Sequence, residues 1–162
     1  MSNNRLAVCI ELGGIRISQF KNFNFNSMCK FGDVYLGANE DGLFVLDSSD
    51  KDVASDIDAH VKLAVTDFGV SNQKRVRKLF VGYRTDGVLR FTVTGDERRE
   101  AIVDLDSAAG SLAIHNQKVP IGRDVKGKYL GLKIENIKGS DFTVDNVHMV
   151  PIVLGTKPQE GV

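Results

Sequence analysis

The chain contains no tryptophan and only three tyrosines, Tyr35, Tyr83 and Tyr129. Sugar platforms favour exposed Trp and Tyr faces, so this scarcity argues against a lectin-like surface. There are only two cysteines, Cys9 and Cys29. A lone pair without a secretion signal reads as two reduced thiols rather than a disulfide framework, with Cys9 expected to be buried between Leu6 and Ile10. The three histidines, His60, His115 and His148, share no ligand spacing with each other or with the cysteines, so neither a metal nor a cofactor is expected. Charge of one sign is missing too. Twenty-one Lys and Arg balance twenty-one Asp and Glu, leaving no overall field to draw nucleic acid or anionic lipid. No apolar run approaches the ~20 residues of a membrane helix. The start, Met1-Ser2-Asn3-Asn4-Arg5, lacks the apolar stretch of a secretory signal, so synthesis in the cytosol is the expectation.

Helical spacing is absent as well. No segment keeps apolar residues at i, i+3, i+4 and i+7 over three turns, whereas two-residue alternation and short β-branched runs recur. Sixteen glycines fall about where turns are needed, and Pro120, Pro151 and Pro158 avoid the strongest strand interiors. The pattern predicts an all-β chain with under about a tenth helix, an antiparallel β-sandwich, jelly-roll-like, or a flattened barrel. At this length one core is expected, burying roughly two-thirds of the unfolded surface. Residues 1–154 read as one domain, with 1–29 as a potential N-terminal arm and 155–162 as a flexible tail.

Strands are predicted at 6–11, 15–20, 34–38, 43–47, 60–68, 76–84, 88–94, 101–105, 111–115, 128–136 and 142–150. Residues 48–58 read as loop. Asp86-Gly87 suits a type I′ turn, which pairs Gly82 with Phe91 and Phe80 with Val93 on a core face. The opposite face then carries Leu79, Val81 and Tyr83, an apolar row needing cover from a second layer or another subunit. A second hairpin is expected around Asn39-Glu40-Asp41-Gly42, with a longer and looser loop. In the last strand a bulge at Asp145-Asn146 would bring Val147 and Met149 to the same face as Phe142 and Val144.

Catalytic patterns are weak. Asp67-Phe68-Gly69 matches the kinase magnesium tripeptide, but the phosphate loop and catalytic loop are missing, and a strand end turning at Gly69 explains it better. The acidic run Asp47-Ser48-Ser49-Asp50-Lys51-Asp52 lacks the glycine and closing glutamate of a calcium loop. Asp96 and Glu97 sit beside Arg98 and Arg99 and are neutralised by them. Gly-x-Ser-x-Gly is absent. Lys74, Arg75, Arg77 and Lys78 form the one dense basic cluster, read first as a charge-protected strand edge and next as a contact for an acidic protein.

Several phrases in order carry a family resemblance. They are Lys30-Phe31-Gly32-Asp33 with Gly37-Ala38 and Asp41-Gly42, Thr66-Asp67-Phe68-Gly69 followed by Lys74-Arg75, and Val81-Gly82-Tyr83 with Asp86-Gly87. Later come Gly122-Arg123, Lys126-Gly127-Lys128, and Asn136 followed by Gly139-Ser140-Asp141-Phe142. Across roughly residues 30–150 the set resembles a β-rich domain of virion and tail-associated proteins of tailed bacteriophages. The resemblance implies a non-enzymatic structural component of a tail, neck or baseplate. Its partners would be other copies of itself and other virion proteins, with no nucleic acid and no membrane, and its location the virion. It transfers no catalytic residue. Assembly-interface candidates are Leu79, Val81, Tyr83, Phe23, Phe25, Arg75 and Arg77. Phe23 and Phe25 point the same way if extended, to dock on a neighbour or to seal one end of the sandwich. A carbohydrate-binding β-sandwich is the competing expectation.

Overall fold

The computed structural model describes residues 6–11, 13, 16–21, 23–46, 51–52, 55–96, 99–107 and 113–155. Its strands are β1 (Leu6–Glu11), β2 (Arg16–Lys21), β3 (Ser27–Phe31), β4 (Val34–Asn39), β5 (Gly42–Leu46), β6 (Lys51–Asp52), β7 (Ser55–Asp56) and β8 (His60–Lys62). They continue as β9 (Lys74–Thr85), β10 (Val88–Gly95), β11 (Glu100–Asp106), β12 (His115–Pro120), β13 (Lys126–Gly127), β14 (Leu130–Ile137) and β15 (Phe142–Val153). The described residues form no helix, and the sheets are antiparallel and open. The architecture is therefore a sandwich and not the flattened barrel.

Contacts divide the chain into two compact units, Met1–Ser49 and Asp50–Val162, where the sequence reading takes 1–154 as one. Pairing explains the division. β1 pairs with β2, and β3–β4–β5 form a meander, so these strands pair only among themselves. The segment 1–29 taken as an arm holds β1, β2 and part of β3. Cys9 is exposed, correcting the expectation of burial, because a two-stranded ribbon has no inside.

In the second unit one sheet runs β11-β10-β14-β8. The other centres on β9, with β15 along one edge and β12, then β13, along the other. Their facing sides make the core. Val76, Leu79, Val81, Tyr83 and Val119 come from the β9 sheet, and Leu89, Phe91, Val93, Leu105, Leu130, Leu132 and Ile134 from the β10 sheet. Each such side chain contributes about 1.5–3 kcal/mol through burial.

β9 and β10 follow one another but do not pair, which overturns the expected hairpin. Phe91 lies between Val103 and Ile134, while Gly82 lies between Asn116 and Asn146. Both strands carry an apolar row, and stacking the rows across two sheets buries both, whereas pairing in one sheet would leave one open. Phe80, expected in the core, is accordingly 41% exposed. Thr85 to Val88 is a corner between sheets. Among the described residues the left-handed pairs are Phe68-Gly69 (φ 52° and 70°) and Lys138-Gly139 (φ 56° and 67°), not Asp86-Gly87. Gly87 serves by size, since a Cβ there would come within 2.3 Å of Ser140 Oγ.

Bulges set which side chains face inward. Val144 pairs with Tyr83 and Asn146 with Gly82, so Asp145 is the extra residue, as expected, and Val147 and Met149 join Phe142 and Val144 against the core. A second shift, between Val150↔Lys78 and Pro151↔Val76, leaves Arg77 extra on β9. It turns the inward positions from Leu79, Val81 and Tyr83 to Val76 and Lys74.

Other boundaries moved. The strand predicted at 60–68 keeps only β8 and a lone bridge from Thr66 to Leu130. β3 and the short β6–β7 ladder were missed. The Asn39–Gly42 turn is tighter than expected, closed by Asn39 Oδ1 accepting from the amides of Asp41 (2.8 Å) and Gly42 (3.1 Å). Ile15, residues 47–50, Glu97, Arg98, Ser111 and residues 156–162, on which expectations also fell, lie outside the described residues.

Candidate functional site

The candidates from the sequence fall in three places. Leu79, Val81 and Tyr83 are 0%, 1% and 2% exposed beneath the opposite sheet of their own unit, so they offer no surface to another subunit. The Tyr83 hydroxyl lies 2.9 Å from both the Asp106 carbonyl and Gln117 Oε1. Burial, and next the charge of Asp106, hold its pKa above the ordinary tyrosine value.

The basic cluster is split by strand alternation. Lys74 is fully buried, its Nζ donating to the carbonyls of Val70 and Asn72 (2.7 Å to the latter). Arg75 is half-buried with Nε unpartnered, and Arg77 is exposed at its bulge. Lys78 turns outward beside Lys118, whose hydrogen bond and like charge lower its pKa. What read as one patch is four different environments.

Phe23 and Phe25 belong to an aromatic row within the first unit. Phe20 and Phe23 have centroids 6.2 Å apart, Phe23 meets Phe25 edge-on at 4.9 Å and 86°, and Phe25 sits 5.8 Å from Phe44. Gly37 makes room, since a Cβ there would come within 2.7 Å of the Phe25 ring. One face of the β3–β4–β5 meander is thus roofed by aromatics.

The other face is bare. The registers Cys29↔Leu36↔Val45, Ser27↔Ala38↔Leu43 and Phe31↔Val34 place eight residues on one side. None is charged, and Ser27 carries the only hydroxyl. Phe31 is 76% exposed, Leu43 68%, Val45 58% and Val34 41%. A hollow of about 80 Å³ lies at one end, bordered by Ser27, Met28, Cys29, Leu36, Ala38 and Leu43, and Phe31 stands at the other. The ribbon repeats the theme: Leu6, Val8, Ile10 and Ile17 share a face in register and are all more than half exposed. Sequence reading located β4 and β5 but passed over β3, because Ser-Met-Cys-Lys-Phe has no β-branched residue to mark it. Without β3 the two remaining strands do not add up to a face.

Elsewhere the polar side chains do structural work. Asp96 accepts from the amides of Lys128 and Tyr129 (2.9 Å to the latter). Asn136, 7% exposed, accepts from the Ala59 amide at 2.7 Å and donates to the carbonyls of Ile57 (2.9 Å) and Ser140 (3.0 Å). His60, His115 and His148 lie on β8, β12 and β15, and no three His, Cys, Asp or Glu side chains gather into a ligand set among the described residues. A groove of about 240 Å³ in the second unit is lined mainly by apolar residues, Leu63, Phe68, Leu132, Val147 and Met149 among them, together with Thr66 and His148. Among the described residues the exposed features that stand out are apolar. In comparisons with known proteins, no protein-family model, no curated protein and no solved structure matches the chain.

Proposed function

We propose that this protein is a non-enzymatic structural component that works by assembling with other proteins, in the tail, neck or baseplate of a tailed-phage particle as its resemblance implies. The bare face of the β3–β4–β5 meander carries this reading, with eight uncharged residues on one side of a sheet and Phe31 and Leu43 largely in water. Water is a poor solvent for such a face, and exposed apolar patches of a few hundred Å² mark places where proteins meet. The balanced net charge supports many copies packing together, because no long-range repulsion opposes them.

The reading is tested by sedimentation of the full chain, alone and mixed with the other proteins of its particle, beside a titration with sugars. Complexes larger than one chain are expected in at least one protein sample. A protein that stays monomeric in every mixture and binds a sugar would overturn the proposal in favour of a carbohydrate module.

A further inference from the structure

We infer that the bare face of the meander docks on the same face of a second copy of this chain, forming a two-fold sheet-on-sheet dimer. The inference rests on the assembly reading above and names the partner.

The shape of the face matches a second copy of itself. Phe31, the most exposed large apolar side chain among the described residues, stands at the β3–β4 turn, and the hollow beside Ala38 and Ser27 lies at the far end of the same strands. When two such faces meet with strands antiparallel about a two-fold axis, the Phe31 ring of each copy comes over the hollow of the other. One large knob and one small-residue hollow are then satisfied twice by a single operation, as an isologous interface requires. A heterologous partner would need its own matching knob and hollow.

Charge does not oppose such a contact. In a two-fold contact each group near the axis meets its own kind, so a charged face would oppose itself. Here Ser27, Cys29, Phe31, Val34, Leu36, Ala38, Leu43 and Val45 bring no charge and one hydroxyl, which sits at the end of the face. Nothing in the contact is left as an unpaired buried ion.

The area is that of a small contact. Three strands about 4.8 Å apart and five residues long at about 3.4 Å each present roughly 14 by 17 Å in outline. With side-chain relief this is on the order of 400–500 Å² per copy, so a dimer buries roughly 800–1,000 Å², below the roughly 1,200–2,000 Å² of stable complexes and in the range of weak, transient ones. Aligned sheets at about 10 Å are the ordinary geometry for such packing. Association in the micromolar range, reversed by dilution, is the expected behaviour.

Cys29 lies on this face, whereas Cys9 lies on β1, so the variant Cys9→Ser leaves one thiol as a reporter. Sedimentation equilibrium of that full-length variant should show a dimer at high micromolar concentration. Alkylation of Cys29 should slow at least about tenfold as the dimer forms. Adding Leu43→Lys should give a monomer with an unchanged far-UV spectrum and fast Cys29 alkylation at every concentration. Phe31→Ala, at the most exposed position, should weaken the dimer at least about tenfold and serves if the lysine variant misfolds. A dimer that persists in both variants with Cys29 reactive would place the contact elsewhere, overturning this inference while leaving the assembly reading standing. A monomer with Cys29 protected would mean that another part of the same chain covers the face, and a monomer with Cys29 reactive that nothing does. Either result overturns the dimer.

Discussion

Asn136 shows how much one buried amide can hold. Its three hydrogen bonds tie the 57–59 segment and the 138–140 turn to β14, and they satisfy backbone groups that sheet pairing leaves open. Asn136→Ala removes all three and strands two carbonyls and an amide, so the second unit should lose about 2–3 kcal/mol in urea unfolding. No local pattern in the sequence marks this residue, because the Ala59 amide it serves is 77 positions away. Tyr83 gives a pH-dependent counterpart. Its folded pKa is raised, so its contribution is complete below the ordinary tyrosine value and is lost as pH rises through the folded one. Tyr83→Phe should cost about 1 kcal/mol near neutrality. Thermal melts carried to about pH 11 should then fall off less steeply for the variant than for the parent.

At the level of strands, alternation announces a strand but not its neighbour. Leu79, Val81 and Tyr83 were legible as a row needing cover, and so was the bulge that returns Val147 and Met149 to the core. Pairing β9 with β10 was the error, because Asp86-Gly87 suits a tight turn and local turn chemistry says nothing of two apolar rows that gain more by stacking. The bulge makes a sharp prediction. Because Val144↔Tyr83 and Asn146↔Gly82 flank Asp145 with no partner of its own, deleting Asp145 keeps every pair in register. Its melting temperature should stay within a few degrees of the parent, about 1 kcal/mol. Deleting His148 instead pushes Met149 off the core face, and that variant should be unfolded or aggregated by circular dichroism and light scattering.

The whole chain was legible as all-β and antiparallel, but not as two units, since the Ser- and Asp-rich stretch that begins at residue 48 reads as an ordinary loop between strands. Among the described residues, all the fully buried apolar side chains lie between Val76 and Ile134. Residues 50–162 produced alone should therefore unfold cooperatively in urea, while residues 1–49 alone should give no cooperative transition. The long-range pairings, such as Leu79 with Met149 and Phe91 with Ile134, put the second unit among slow-folding topologies. Stopped-flow refolding should lie in the millisecond-to-second range rather than in microseconds. The bare face of the first unit could not be read from sequence, because an apolar strand residue looks the same whether a second layer covers it or not.

Lys74 adds a clock to this molecule. An amine held by two backbone carbonyls at 0% exposure is hidden from reagents that acylate every surface lysine at once. Its modification must wait until the 70–73 segment lifts or the sandwich opens, so the lag before Lys74 is labelled, read by mass spectrometry, times the opening of the native state from inside it.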